Sequence, residues 1–276
     1  NGWEIPETWE EFKALCDTIQ AAGIQPLYFG FKDTWNCLAP WNAIAVDLAP
    51  ADVCSQVNKG ETTFTAQYRE VAERMMELLP YGQKDPFSYG YNDACTAFAR
   101  GQSAMFTIGS YAVPQIKSVN PDIDIDTFVL PASENAEDNV LNSGIDLQFS
   151  VLADCPEKEA AYEVLDFLLA DENVQAYLDN QNAVPCKNGD FKLPSMLDGV
   201  ADYIKEGKMV DYQDHHYPTE MAVDALIQTY LIQKDTDAFL AGFDQDWQRY
   251  NRDLIAKVQR YEEEHPDTGA EGGTNQ

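Results

Sequence analysis

Ala97-Phe98-Ala99-Arg100-Gly101-Gln102-Ser103-Ala104-Met105, followed by Gly109-Ser110-Tyr111, is the stretch from which the fold is read. Asn92 or Asp93 can cap a helix running to Arg100, since such side chains satisfy the N–H groups that a first helical turn leaves unpaired. Gly101 closes it, because glycine enters the left-handed region at a helix end without steric cost. Ser103 to Ile108 reads as a strand, and Gly109-Ser110 turns the chain into a short helix. Helix, stop, strand and turn in so short a span is the local pattern of an α/β protein.

The same alternation extends to both sides. Upstream, Thr8 and Glu11 fit a capping box ahead of Phe12, Leu15, Cys16 and Ile19, with Gly23 as terminator. Ile24 to Phe31 reads as a short strand, and the loop and helix beyond it carry Asp33, Thr34, Trp35, Asn36 and Trp41. Phe64 to Leu79 reads as one amphipathic helix with Tyr68, Val71, Met75 and Leu78 on a face, stopped by Pro80 and Gly82. Downstream, Ile123 to Leu130 has the period of a strand, Pro131 to Asn139 is a polar loop, and Leu147 to Leu152 is another strand. Helices are expected from Pro156 to Leu169, Asp171 to Leu178, Pro194 to Lys205, Thr219 to Ile232, and Thr236 to about Glu263. Gly269 to Gln276 reads as a frayed polar tail.

The chain has 276 residues, 47 of them acidic against 18 Lys and Arg, for a net charge of −29. With 45% hydrophobic residues it has the makings of a real core, and at about 150 residues per domain the length suggests two domains. So acidic a surface repels phosphate, which disfavours nucleic acid and anionic lipid as partners. No apolar run approaches the roughly 18 residues of a membrane span; Ala43 to Ala51 comes nearest and is interrupted by Asp47. The six cysteines are scattered without a Cys-x-x-Cys pair, which argues against structural zinc and a thioredoxin-type motif. An even count permits disulfides, but buried free thiols are the simpler expectation.

Four blocks resemble the extracellular solute-binding proteins of ABC sugar importers, the maltose-binding-protein-like family. They are Pro6-x-Thr8-Trp9-Glu10-Glu11-Phe12 through Ala21-Ala22-Gly23-Ile24-Gln25-Pro26-Leu27; the opening stretch; Phe128-Val129-Leu130-Pro131 with Asn142-Ser143-Gly144-Ile145-Asp146-Leu147; and Glu157 to Leu169 with Asp171-Glu172. Their order, spread over Pro6 to Tyr250, carries more weight than any one block.

The resemblance implies a class II periplasmic-binding-protein-like fold: two α/β lobes joined by crossing strands, here with a helix-rich second lobe. It places 1–127 and 187–276 in lobe two, the latter helical with a frayed tail from about 266, and 128–186 in part of lobe one. It implies an N-terminally truncated portion of a longer, extracytoplasmic, lipid-anchored and monomeric protein. Its expected partners are a mono- or oligosaccharide and ABC permease subunits, with no cofactor and no catalytic residue. The sugar would bind between the lobes and drive hinge closure.

A sugar site needs aromatic faces for the C–H side of the ring and planar polar groups for its hydroxyls. The resemblance nominates Asp33, Trp35 and Asn36 on the first loop, although Trp35 as core and Asp33 as a helix cap are alternatives. Tyr111 matches a position where the family often has Trp. Gly144 and Asp146 match a loop where backbone approaches ligand; Asp146 as a strand cap is equally open. His216, Tyr217 and Glu220 precede the Thr219 helix, where another cleft residue is expected. The adjacent histidines invite a metal reading, but no further ligands are nominated, so a solvated loop is expected. A glycoside-acting enzyme, or a receptor for a non-sugar solute, is the alternative function. Among 47 acids some carboxylate pair always fits a glycosidase, and no Gly-x-Ser-x-Gly, P-loop or Gly-x-Gly-x-x-Gly occurs.

Overall fold

In a computed structural model, which describes residues 2–145 and 147–265, the Thr8 hydroxyl accepts the Glu11 amide and opens α1 (Trp9–Ala21). The return half of the capping box is shifted by one residue, since Glu11 Oε2 accepts the Glu7 amide. Gly23, at φ +78°, ends α1: its amide reaches Gln20 and that of Ile24 reaches Ile19, so two orphan carbonyls are satisfied.

Next come α2 (Leu38–Leu48), α3 (Val53–Lys59), α4 (Phe64–Gln67) and α5 (Arg69–Leu78). The single helix expected over 64–79 is therefore two. The Asp244 carboxylate holds the Phe64 and Thr65 amides, Tyr68 turns its ring into the core, and the helix restarts at Arg69. In α6 (Tyr91–Ala99) the cap is Gly90, whose amide Asp93 accepts from within the first turn. Gly101, at φ +70°, stops it as expected. The remaining helices are α7 (Val113–Val119), α8 (Lys158–Leu168), α9 (Asp171–Gln181), α10 (Ala201–Glu206), α11 (Val223–Gln233), α12 (Thr236–Tyr250) and α13 (Arg252–Glu264). The long helix expected after Thr236 breaks at Asn251, and the expected tail from 266 lies outside the described residues.

The strand expectations need correction. Among the described residues only β1 (Leu141–Asn142) and β2 (Met209–Val210) form a ladder, parallel, with Leu141 opposite Met209 and Asn142 opposite Val210. The runs 24–31, 103–108 and 123–130, and 147–152, carry no ladder. The first two touch through single bonds, Ala104 and Met105 donating to the carbonyls of Gln25 and Pro26. The Gln83 side chain takes the place of a neighbouring strand at Phe29, bonding its amide and its carbonyl. A period-2 pattern becomes a strand only where a second backbone supplies alternating partners.

One core joins residues 9–79 to residues 217–255, so the first and last parts of the chain fold together. Its centre is aromatic: Trp41 meets Tyr68 edge-on at 5.4 Å, and Phe64 lies 4.9 Å from Trp247. From 145 to 177 the pattern differs. Ile145, Leu147, Phe149 and Leu152 are exposed, as are Val164 and Phe167 on α8. Between these regions, the Asp47 carboxylate of α2 accepts the amides of Ala132 and Val140, and Arg74 donates to the Ala132 carbonyl. All six cysteines are free; Cys16, Cys37 and Cys95 are buried and Cys186 is exposed. Burial pushes the thiols of Cys16 and Cys54 up to about 12.

Candidate functional site

The loop after residue 30 is pinned from two directions. On one side Asp224 and Gln228 of α11 reach it: the Thr34 hydroxyl donates to Asp224, and Gln228 Nε2 donates to the Phe31 carbonyl at 2.5 Å. On the other, the Phe31 and Lys32 amides donate to the carbonyls of Pro86 and Tyr89. The buried Asn36 closes the loop from inside, donating Nδ2 to the Gly30 and Asp33 carbonyls at 3.1 and 3.3 Å.

Held this way, Trp35 presents its indole outward, 41% exposed. Its ring centroid lies 5.1 Å from that of Tyr91, at the start of α6, and 6.2 Å from that of Tyr111. Tyr111 is 40% exposed. Its ring folds back over Gly109, where a Cβ would stand 2.3 Å from the ring, so only glycine leaves room. Three rings from three separate segments thus form one aromatic cluster, with Trp35 at its centre. Tyr91 is half-buried, and burial together with Cys95 holds its phenol well above the ordinary range. A neutral phenol donates and accepts hydrogen bonds, which suits a hydroxylated, uncharged ligand.

A second group is built by the β1–β2 register. Asn142 opposite Val210 brings Gly144 against Asp211 and Tyr212, so closely that a Cβ on Gly144 would stand 1.8 Å from Asp211 Oδ1. His215 Nδ1 lies 2.9 Å from the same oxygen, and the Tyr212 ring meets the imidazole at 5.0 Å. α2 links the two groups, following the Trp35 loop at its start and exchanging two hydrogen bonds with Asp214 through Asn42.

The structure therefore brings Trp35 and Tyr111 together and adds Tyr91. It puts Asn36 inside the loop, and Asp33 at its edge with its carboxylate against the Tyr91 amide at 2.8 Å. Gly144 lies apart, beside Asp211. His216 and Glu220 are exposed. Tyr217 departs from the expectation: its ring is in the core, and its hydroxyl accepts from Trp41 Nε1 and bonds Tyr68. Asp146 lies outside the described residues. Among the described residues no group of three or more His, Cys, Asp or Glu could hold a metal. No helix among them is long and apolar enough to cross a membrane.

The profile of the bacterial extracellular solute-binding proteins matches residues 2–175. The chain belongs to that family. This solute-binding protein is 29% identical over 188 residues to the multiple sugar-binding protein of Streptococcus mutans, a match covering 64% of the chain and 44% of the relative. It is 22% identical over 143 residues to an ABC transporter extracellular-binding protein of Pyrococcus horikoshii, covering 46% and 32%. The match thus spans less than half the length of either relative. Among solved structures it resembles RafE bound to raffinose, with a TM-score of 0.75 at 22% identity, covering 94% of this chain and 67% of that one. It also resembles a chitin oligosaccharide binding protein, with a TM-score of 0.76 at 20% identity, covering 91% and 66%. These likenesses establish the solute-binding-protein fold for this chain, which spans about two thirds of either solved chain.

Proposed function

We propose that this chain is the ligand-binding part of an extracytoplasmic receptor that captures a neutral carbohydrate and delivers it to an ABC permease. The observation that carries the reading is that the half-buried Tyr91 and the exposed Tyr111 both meet the exposed Trp35 ring. Such a cluster pays little side-chain entropy on binding and matches the apolar side of a pyranose. In this reading residues 1–127 and 187–276 make lobe two, residues 128–186 contribute to lobe one, and ligand favours the closed arrangement of the two. The group around Gly144 and Asp211 supplies further hydrogen bonds to the ligand. The protein is a receptor and not an enzyme, works without a cofactor, and is held at the membrane by a lipid. Sugar-binding relatives, and neighbours solved with raffinose and stachyose, support the choice of ligand class.

Calorimetric titration with raffinose, stachyose, a chitin oligosaccharide and glucose tests this. At least one is expected to bind and to change tryptophan emission, and the emission change is expected to vanish in Trp35→Phe. Turnover of any of them into products, or no binding by the whole series, would overturn it.

A further inference from the structure

Asp33, expected to hydrogen-bond ligand, is engaged elsewhere. Its Oδ2 accepts the amide of Tyr91, the first residue of α6, at 2.8 Å. The carboxylate lies against Gly90: a Cβ there would stand 2.6 Å from Oδ2 and 3.2 Å from Cγ. Gly90 has φ −92° and ψ −176°, a conformation open to any residue, so space alone requires glycine. Gly30 meets the same point, where its Cβ would stand 2.9 Å from the Gly90 carbonyl oxygen and 3.1 Å from the Tyr91 nitrogen. The Trp35 loop and the start of α6 are thus in backbone contact, and beside the Phe31–Pro86 and Lys32–Tyr89 backbone bonds the Asp33 carboxylate is the side-chain link that reaches the first residue of α6. They carry the two rings that lie 5.1 Å apart.

We propose that Asp33 is a positioning residue, which sets the Trp35–Tyr91 ring pair by latching the Tyr91 amide in the space left by Gly30 and Gly90. The inference rests on the aromatic cluster as the ligand platform, and it relocates the role of the acid. A helix N-terminus offers unpaired N–H groups, and a carboxylate from another loop fixes both the first amide and the direction in which the first side chain leaves. Misplacing that side chain turns one ring away from the other without unfolding either segment.

The experiment compares Asp33→Asn, Asp33→Ala and Gly90→Ala. Asparagine keeps an acceptor oxygen for the Tyr91 amide, alanine removes it, and Gly90→Ala displaces the carboxylate while leaving its chemistry intact. With raffinose as probe, Asp33→Asn is expected to bind within about threefold of the wild type, while the other two lose about tenfold or more. Gly90→Ala is expected to cost little further in the Asp33→Ala background, because the group it strikes has gone. The ligand-free readout is Trp35 emission, taken as the difference from the same variant carrying Trp35→Phe. Acrylamide quenching of that signal is expected to rise at least twofold in Asp33→Ala and Gly90→Ala, and to stay unchanged in Asp33→Asn. If raffinose does not bind the wild type, the affinity comparison is made with whichever sugar of the series does; if none binds, the function reading fails while quenching still decides the latch. Loss of affinity in Asp33→Asn equal to that in Asp33→Ala, or quenching unchanged in Asp33→Ala, overturns the proposal.

Discussion

The Trp41 indole donates its N–H to the Tyr217 hydroxyl at 3.3 Å, and that hydroxyl also bonds Tyr68 at 2.8 Å. Tyr68 in turn reaches Gln213 at 3.2 Å. This buried chain of polar groups anchors the 213–217 segment to α2 and to the junction between α4 and α5, and so explains why Tyr217 faces the core while His216 faces solvent. Burial raises the phenols of Tyr68 and Tyr217 far beyond their ordinary range.

Tyr217→Phe removes an oxygen that serves two partners and leaves the Trp41 N–H unpaired in the core. The expected loss of stability is about 1–3 kcal/mol, read from urea unfolding. Sugar affinity is expected to stay within twofold by calorimetry (about 0.4 kcal/mol). A large affinity loss at unchanged stability would return Tyr217 to the ligand.

Trp35→Ala has the opposite signature. The ring is half in solvent and its main neighbours are two other rings, so its removal is expected to cost less than about 1.5 kcal/mol of stability. Affinity for sugar is expected to fall at least about tenfold. A drop in melting temperature typical of a core tryptophan, with affinity kept, would assign Trp35 to packing.

Asp47 predicts how stability responds to pH. Burial lifts its carboxyl to about 7, against the pull of the Val140 and Ala132 amides and of Arg74. An acid whose folded pKa lies above its unfolded value, about 4, binds its proton more tightly in the folded protein. Its contribution to stability is therefore present at low pH, lost as pH rises from about 4 to about 7, and flat above. The urea midpoint is expected to fall between pH 5 and 7.5, and Asp47→Asn to flatten that slope. An unchanged slope in the variant would show that other groups govern it.

How much of this was legible in the sequence depends on the range of the interaction. The Gly23 and Gly101 stops and the apolar face of Val71, Met75 and Leu78 are local features, which spacing alone determines. The break at Tyr68 is not local, because its cause is Asp244, whose carboxylate comes from far along the chain. The strands over 24–31 and 123–130 failed for a related reason: period two records which side chains face inward, and says nothing about whether a second backbone is there to pair. At the candidate site, the resemblance nominates Trp35 and Tyr111, and the structure brings these two rings together. It does not nominate Tyr91, since what marks that residue is contact with a loop some sixty residues earlier (56 between Trp35 and Tyr91). The Asp33 latch was hidden because nothing local distinguishes a carboxylate that meets a ligand from one that meets an amide.

The exposed face of α8 gives the last prediction. Val164 and Phe167 are three residues apart, share a side of the helix, and are 57% and 65% exposed. Apolar area gathered in this way is uncommon on a monomer surface and promotes association or dye binding. Replacing Val164 and Phe167 together by Glu removes no buried contact, so stability of the 276-residue chain is expected to change by less than about 0.5 kcal/mol. Binding of an apolar dye is expected to fall markedly, and light scattering at high concentration to show less association. A loss of several kcal/mol instead would mean that the two side chains are packed in solution, and that the face is not the open surface described above.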